Sequence, residues 1–373
     1  MPGWEIVFEP RINTRSPELL ELLVELEAYR KSVMKIPLPP SMRPRFDRLN
    51  IIRQIKGTTG IEGNTLSEAR ISAVLEAEDA KDQSVAPSRE EKEVLNANQV
   101  LSFIRDEVKR ENAATITEEL IKTLHQLSTT GCEYDNNRPG YYRQHQVTAG
   151  QYEPPDHREI PELMQRFLSL INSRQTIEGF KAPIRAILAH FYLISIHPFG
   201  DGNGRTSRAL EAYLLYQAGY NVRGFYSLSN YLYRHRDEYI EKLQETRFRN
   251  NGDVTEFITF CLRGFNEELE RIQDEILGFV RSILFQDMIL HDYNSRVINT
   301  RCFTILEYLR NAEVKELPEE ALKTKQHFLA KSLYEGLSVK TVIRDLRTLQ
   351  SEGYILIRDG TITLNLAIMD AFA

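Results

Sequence analysis

Cysteine is scarce in this chain: Cys132, Cys261 and Cys302 are the only three in 373 residues. They are far apart and odd in number, so they offer neither a disulfide framework nor a cysteine zinc site, which fits a reducing compartment. An excess of positive charge is also missing. The formal net charge is −6, which excludes an overall attraction to nucleic acid or anionic membrane. No apolar run approaches the roughly 18 residues of a membrane span, and the N-terminus lacks a basic-then-apolar signal pattern. Internal repeats and low-complexity tracts are absent. These absences lead us to expect a soluble cytoplasmic protein without membrane contact. The length predicts two or three domains with ample core.

What is present centres on His197-Pro198-Phe199-Gly200-Asp201-Gly202-Asn203-Gly204-Arg205-Thr206-Ser207-Arg208. An apolar helical run over 184–196 precedes it, and another over 209–218 follows. Pro198 and the three glycines make the middle a loop. Its free backbone N–H groups and the dipole of the following helix form a ready anion site. Gly202 and Gly204 permit close approach. Arg205 and Arg208 share a helix face and can grip phosphate oxygens. Asp201 is a hard oxygen ligand suited to Mg²⁺, and His197 can act as a base near neutral pH. Together these residues point to phosphoryl or nucleotidyl transfer from a Mg-nucleotide. Such a loop is often only a turn, but a turn needs neither the histidine nor two arginines. No Gly-Lys-Ser/Thr follows the glycines, so this is not a Walker loop, and no His-Glu-x-x-His is present. His190 reads as a packed or hydrogen-bonded helix residue.

The stretch matches the signature His-Pro-Phe-x-Asp-Gly-Asn-Gly-Arg-x-x-Arg without departure and so resembles the Fic family, mostly adenylyltransferases that move AMP from ATP onto a protein hydroxyl. The resemblance implies that His197 deprotonates a Ser, Thr or Tyr hydroxyl of a target protein, which could include the chain itself. Asp201 would hold Mg²⁺, Asn203 and Gly204 would line the anion hole, and Gly202 would be among the ATP-binding residues. Arg205 would neutralise the leaving phosphates, Arg208 would hold the γ-phosphate of ATP, and Phe199 would anchor the loop. Residues 57–64, Gly-Thr-Thr-Gly-Ile-Glu-Gly-Asn, resemble the family's inhibitory motif, with Thr58 first and Glu62 as the glutamate. The resemblance pairs Glu62 with Arg208 bidentately, in place of the γ-phosphate. Read alone, these glycines are helix-stop signals, and Thr65 with Glu68 makes a capping box for the next helix.

Residues 147–152, Val147, Thr148, Ala149, Gly150, Gln151 and Tyr152, read as a short hairpin or a surface loop; the resemblance makes them a flap that docks an extended target segment. Tyr231 and Tyr239 belong to an aromatic stripe at helical spacing that also includes Tyr226 and Tyr233. Such stripes are usually core, and the resemblance implies an adenine-side wall.

The expected fold is mainly α: a multi-helix Fic core with a β-hairpin flap, plus a C-terminal winged helix-turn-helix. Residues 1–110 form an N-terminal helical region with the inhibitory motif, 111–296 the core, and 297–373 the last domain. Helices are predicted over 17–31, 45–56, 67–77, 88–110, 116–127 (capped by Thr115 with Glu118), 160–171, 226–243 and 254–296, with 36–44 a proline-rich linker. Phe257, Phe260, Phe265, Ile272, Ile276, Phe279 and Ile283 face mostly inward on the long one. In the last domain, helices over 302–309, 327–334 and 339–350 precede a hairpin that turns at Asp359-Gly360. Ser338 caps the third helix, which buries Val339, Val342, Leu346 and Leu349. Its other face offers Lys340, Thr341, Arg344 and Arg347 to DNA. Residues 301–373 hold 10 Lys plus Arg and 10 Asp plus Glu, a neutral balance that fits protein docking equally well.

The leading reading is a self-inhibited protein adenylyltransferase that uses ATP and Mg²⁺. The alternatives are a DNA-binding regulator with the Fic core as ligand sensor, removal of AMP from a target, or another nucleotide donor. The target and the oligomeric state, a homodimer included, stay open.

Overall fold

The computed structural model describes residues 5–81, 86–109, 115–132, 136–220, 228–248, 252–311 and 315–370. They fall into two compact units: 1–35 with 39–273, and 36–38 with 274–373.

The first unit begins with an arm tied down at several points. Ile6 is buried, and the Arg11 N–H donates to the Gly252 carbonyl. Helices follow in order: α1 (Pro17–Lys35), α2 (Arg43–Gly60), α3 (Glu68–Asp79), α4 (Arg89–Glu107), α5 (Glu118–Thr129), α6 (Ile160–Ile171), α7 (Arg174–Gly179), α8 (Ala182–Ile196), α9 (Asn203–Gln217), α10 (Leu228–Arg234), α11 (Arg236–Phe248) and α12 (Thr255–Asn294). Helix α8 is buried on every face from Pro183 to Ile196. A helix apolar all round belongs at the centre of a bundle, and α8 packs there against α6 and α9, with Ile187, Leu188 and Leu193 beside Met164, Phe167 and Leu210. A satellite core of Ile52, Ile55, Ile71, Val74, Leu75, Val94 and Leu101 joins α2, α3 and α4. Unit one ends inside α12, at Gln273, where the sequence reading set a boundary at 296/297.

Several local expectations are corrected. Gly57 does not stop α2; the helix runs through it and ends at Gly60, because it is held by what it packs against. A Cβ at Gly57 would sit 2.5 Å from the backbone of Ser229 and Asn230, and one at Gly60 would sit 2.6 Å from the Tyr233 ring. The missing side chains let α2 lie directly on α10, which outweighs the poor helix propensity of glycine. Pro44 opens α2 near its first turn, so the proline-rich linker is shorter than 36–44. Thr65 does not cap α3; Ser67 does, accepting from the Arg70 N–H, while the Thr65 hydroxyl donates to Glu90. Thr117 rather than Thr115 caps α5, accepting from Leu120. The stripe over 226–243 is two helices, α10 and α11; Tyr226 lies outside the described residues. On α12, Ile283 is exposed, and Phe285 and Ile289 are the inward residues there. No hairpin of extended strands forms over 147–152. A single antiparallel bridge joins Ala149 and Tyr152, with Gly150 in the left-handed region at φ 62°.

The second unit takes the end of α12 and then α13 (Thr300–Asn311), β1 (Glu316–Pro318), α14 (Glu319–Lys323), α15 (Phe328–Leu333), α16 (Val339–Ser351), β2 (Ile355–Arg358) and β3 (Thr361–Leu364). The sheet is antiparallel in the order β1-β3-β2. Between β2 and β3, Asp359 and Gly360 take φ values of 48° and 73°, the primed turn whose twist suits a two-residue hairpin. Val342, Leu346 and Leu349 are buried on α16, whereas Val339 is exposed. Ser338 sits at the cap position, but its side chain accepts no backbone N–H. Asp345 turns inward to Arg301 and Tyr334. Among the described residues, no helix is long and apolar enough to cross a membrane.

Candidate active site

The loop between α8 and α9 is built before any side chain acts. His197 ends α8 in the left-handed conformation, at φ 52°. A β-carbon tolerates this poorly, so its surroundings must hold it. Its N–H donates to Leu193, and its carbonyl accepts from Arg143 Nε at 2.9 Å. Arg143 is buried and also donates to the carbonyls of His145 and Pro155, joining the loop to the flap segment. Phe199 is fully buried and stacks on His125, with centroids 3.7 Å apart. His125 in turn reaches the Asp201 carbonyl through Nε2 and accepts the Gly140 N–H at Nδ1. A Cβ at Gly200 would meet the Asn136 carbonyl at 2.4 Å, so only glycine fits there.

His197 Nδ1 lies 3.2 Å from the Ile194 carbonyl. A carbonyl only accepts, so Nδ1 carries the proton and Nε2 keeps its lone pair. Burial pushes the imidazole pKa down to about 4, and the Arg247 and Arg143 guanidiniums add to this against the pull of the Ile194 carbonyl. The ring is therefore neutral at physiological pH.

Helix α9 starts at Asn203, six residues before the expected apolar run, so both arginines lie inside it. The Asn203 side chain is a staple: Oδ1 accepts from Phe199 N–H and Nδ2 donates to Phe199 O, each at 2.9 Å. Its amide is thus occupied within the loop, and what it can offer an anion is its backbone, at the start of α9 ahead of the first intrahelical bond from Thr206 to Gly202. Asp201 accepts from the Gly202 N–H and lies 3.2 Å from Arg205, with 45% of its side chain exposed. Among the described residues no group of three His, Cys, Asp or Glu side chains could hold a metal. Arg205 is buried and turns toward Asp201 and Glu93 rather than into the cleft.

Arg208 is only 3% exposed and is held from α2. Its Nη2 lies 2.7 Å from Glu62 Oε1 and also donates to the Thr58 carbonyl, while Nε donates to the Thr58 hydroxyl. The expected bidentate pair is thus a single Arg–Glu contact, and the fork closes on Thr58. The enclosing walls push the Glu62 pKa up, and Arg208 and Arg205 outweigh them, so the carboxyl ends below its ordinary value. Gly204 makes this possible: a Cβ there would sit 2.3 Å from Glu62 Oε1.

Glu62, Arg208, Asp201, Gly202, Asn203, Gly204 and His197 all line one cleft of about 650 Å³. Thr148, Ala149, Gly150 and Gln151 form one edge; Val147 is not among the lining residues. Tyr152 is an anchor: it is 2% exposed, its hydroxyl donates to the Ser195 carbonyl, and Arg247 lies 4.0 Å over its ring. Tyr239 lines the opposite wall. Tyr231 does not; it packs on Gly264 and Phe260 in the core. Sequence reasoning missed Arg143, Arg247 and Arg236, of which the last donates to the Ile61 carbonyl at 3.0 Å. It also missed Glu93 and Glu211, because no local pattern marks a partner far away in the chain.

Residues 115–215 match the model of the Fic/DOC family. The protein adenylyltransferase Fic of Culex quinquefasciatus is 32% identical over 217 residues, 58% of this chain and 40% of that protein. Its namesake in Drosophila willistoni is 32% identical over 239 residues, 64% and 45% of the two chains. The chain thus spans less than half the length of these curated relatives. In fold it is similar to a Fic family protein from Desulfovibrio desulfuricans G20, with a TM-score of 0.56 over 98% of both chains at 18% identity. The twelve-residue loop, all of α8 and α9 as far as residue 215 lie inside the matched segment, and the chain therefore carries a Fic/DOC family domain over residues 115–215.

Proposed function

We propose that this chain transfers AMP from ATP to a hydroxyl group of a target protein and that its own N-terminal region holds the transfer back. The observation that carries this reading is one cleft with a neutral imidazole at one end and an arginine already gripped by Glu62 and Thr58 at the other. His197 Nε2 takes the hydroxyl proton as the oxygen attacks the α-phosphorus; the bond to the bridging oxygen breaks and pyrophosphate leaves. The backbone N–H groups at the start of α9 receive the negative phosphate oxygens. Asp201 suits Mg²⁺: its carboxylate is half exposed and lines the cleft, and Mg²⁺ takes its remaining ligands from phosphates and water. That ion would supply charge neutralisation, and Arg205 steadies the carboxylate that holds it. Arg208 receives the γ-phosphate only when Glu62 lets go. Thr148 and Gln151 on the flap edge face an extended target segment.

The test is AMP incorporation from α-labelled ATP with Mg²⁺ by wild type, Glu62→Gly and Glu62→Gly/His197→Ala. Label on the Glu62→Gly protein or a lysate partner, lost in the double variant, supports the reading. No label in any of the three, with ATP bound, overturns it. The second unit supports a separate docking role as a winged helix-turn-helix. Its α16 turns Lys340, Arg344 and Arg347 outward while its one acid, Asp345, is buried. Salt-dependent binding to duplex DNA, weakened by Arg344→Ala, is the expected result; salt-independent or absent binding overturns it.

A further inference from the structure

Three polar groups run in series from the core to the cleft wall. Glu211 on α9 is 3% exposed, His190 on α8 is 0% and Tyr239 on α11 is 4%. Glu211 Oε2 lies 2.5 Å from His190 Nδ1, and His190 Nε2 lies 2.8 Å from the Tyr239 hydroxyl. A buried carboxylate is costly unless paired, and a core this apolar has no need of one for packing. The carboxylate fixes the proton on Nδ1, so Nε2 accepts the Tyr239 O–H and the phenol is held in one pose.

The three residues also sit on the three helices that make the cleft. Helix α8 ends in His197 and α9 carries Arg208 one turn before Glu211, while α11 supplies Tyr239, Ile240, Leu243, Gln244 and Arg247 to the opposite wall. Arg247 fastens the far end of that wall to Ser195 and Ile194 of α8. Wall helix α11 is therefore fixed to α8 at two points about 12 Å apart, eight residues at 1.5 Å each.

We propose that His190 and Glu211 are positioning residues that set the Tyr239 wall against the bound nucleotide. This rests on the nucleotide reading of the cleft. The assay is ATP affinity by calorimetry on the full-length Glu62→Gly/His197→Ala protein, which needs no turnover. Adding Tyr239→Phe or Glu211→Leu should weaken ATP about fivefold, the loss expected from one buried hydrogen bond. Glu211→Gln retains an acceptor for Nδ1–H and should restore affinity to within about twofold of the parent. Circular dichroism and the melting curve establish that each variant is folded. Parental affinity in both Tyr239→Phe and Glu211→Leu overturns the proposal, and so does a Glu211→Gln protein as weak as Glu211→Leu. A parent that binds no ATP overturns the nucleotide reading along with it.

Discussion

Replacing Gly57 by alanine should release the transfer without touching any cleft side chain. The added Cβ would lie 2.5 Å from the amide nitrogen of Asn230 and the carbonyl carbon of Ser229. Ordinary carbon contacts need about 3.5 Å, so α2 and α10 must separate by about 1 Å. The same helix carries Thr58 and leads into Glu62, which holds Arg208 at 2.7 Å. A shift of that size stretches the contact past hydrogen-bonding range. A charge-assisted hydrogen bond contributes about 1.5 kcal/mol, so its loss should raise AMP transfer about tenfold. Overpacking costs about 1–3 kcal/mol and alanine regains about 1 kcal/mol of helix propensity, so net stability should fall by 0 to about 2 kcal/mol. The assay is label incorporation from α-labelled ATP by wild type, Gly57→Ala and Glu62→Gly, beside urea denaturation of each. A Gly57→Ala protein that is more stable than wild type and no more active refutes the reasoning, because the methyl group would then have been accommodated without moving the helix.

The pH dependence follows from His197 and His125, both pushed down to about 4 by burial. A base must be unprotonated, so transfer by Glu62→Gly should be level from about pH 6 upward and fall only toward pH 4; a midpoint near the ordinary 6.5 of histidine overturns the assignment. The same shifts act on stability. Below the unfolded pKa of about 6.5 the unfolded chain takes up protons first, so urea midpoints should be highest above that pH and decline as it falls toward about 4. Arg143→Ala leaves several buried carbonyls without a donor and should cost about 2–4 kcal/mol by urea titration; a loss under 0.5 kcal/mol argues against its role as a staple. Gly360→Ala forces a β-carbon to φ 73° and should lower the stability of the second unit by about 1–2 kcal/mol, with an unchanged melt as the contrary result.

Where one element speaks for itself, the sequence was readable. The amphipathic run of 160–171 is α6 to the residue, because its apolar face, Leu163, Met164 and Phe167, repeats at helical spacing. Asp359-Gly360 announces its turn because few other pairs accept two positive φ values. Gly57 misled because its reason lies in α10, far along the chain. Tyr231 and Tyr239 look alike in a helical stripe; only packing sends one to the core and the other to the cleft. The contact of Glu62 with Arg208 was legible through the family resemblance alone, since neither residue marks the other. Glu93, Glu211 and Arg143 left no signal, because a buried polar contact, whether to a side chain or to a distant carbonyl, is a property of two places in the chain at once.

The grip on Arg208 has a consequence in equilibrium terms. One guanidinium cannot serve Glu62 and a phosphate together, so the latch and any anionic ligand at that position compete for the same free energy. Linkage makes the competition reciprocal. Whatever factor the closed latch takes from ligand affinity, a bound ligand takes from the latch. A mutation or partner that tightens α2 against α10 must then raise the ligand concentration needed for half-occupancy by the same ratio. One that loosens it must lower that concentration equally. The strength of the latch can therefore be read from a binding curve alone, without observing a single turnover.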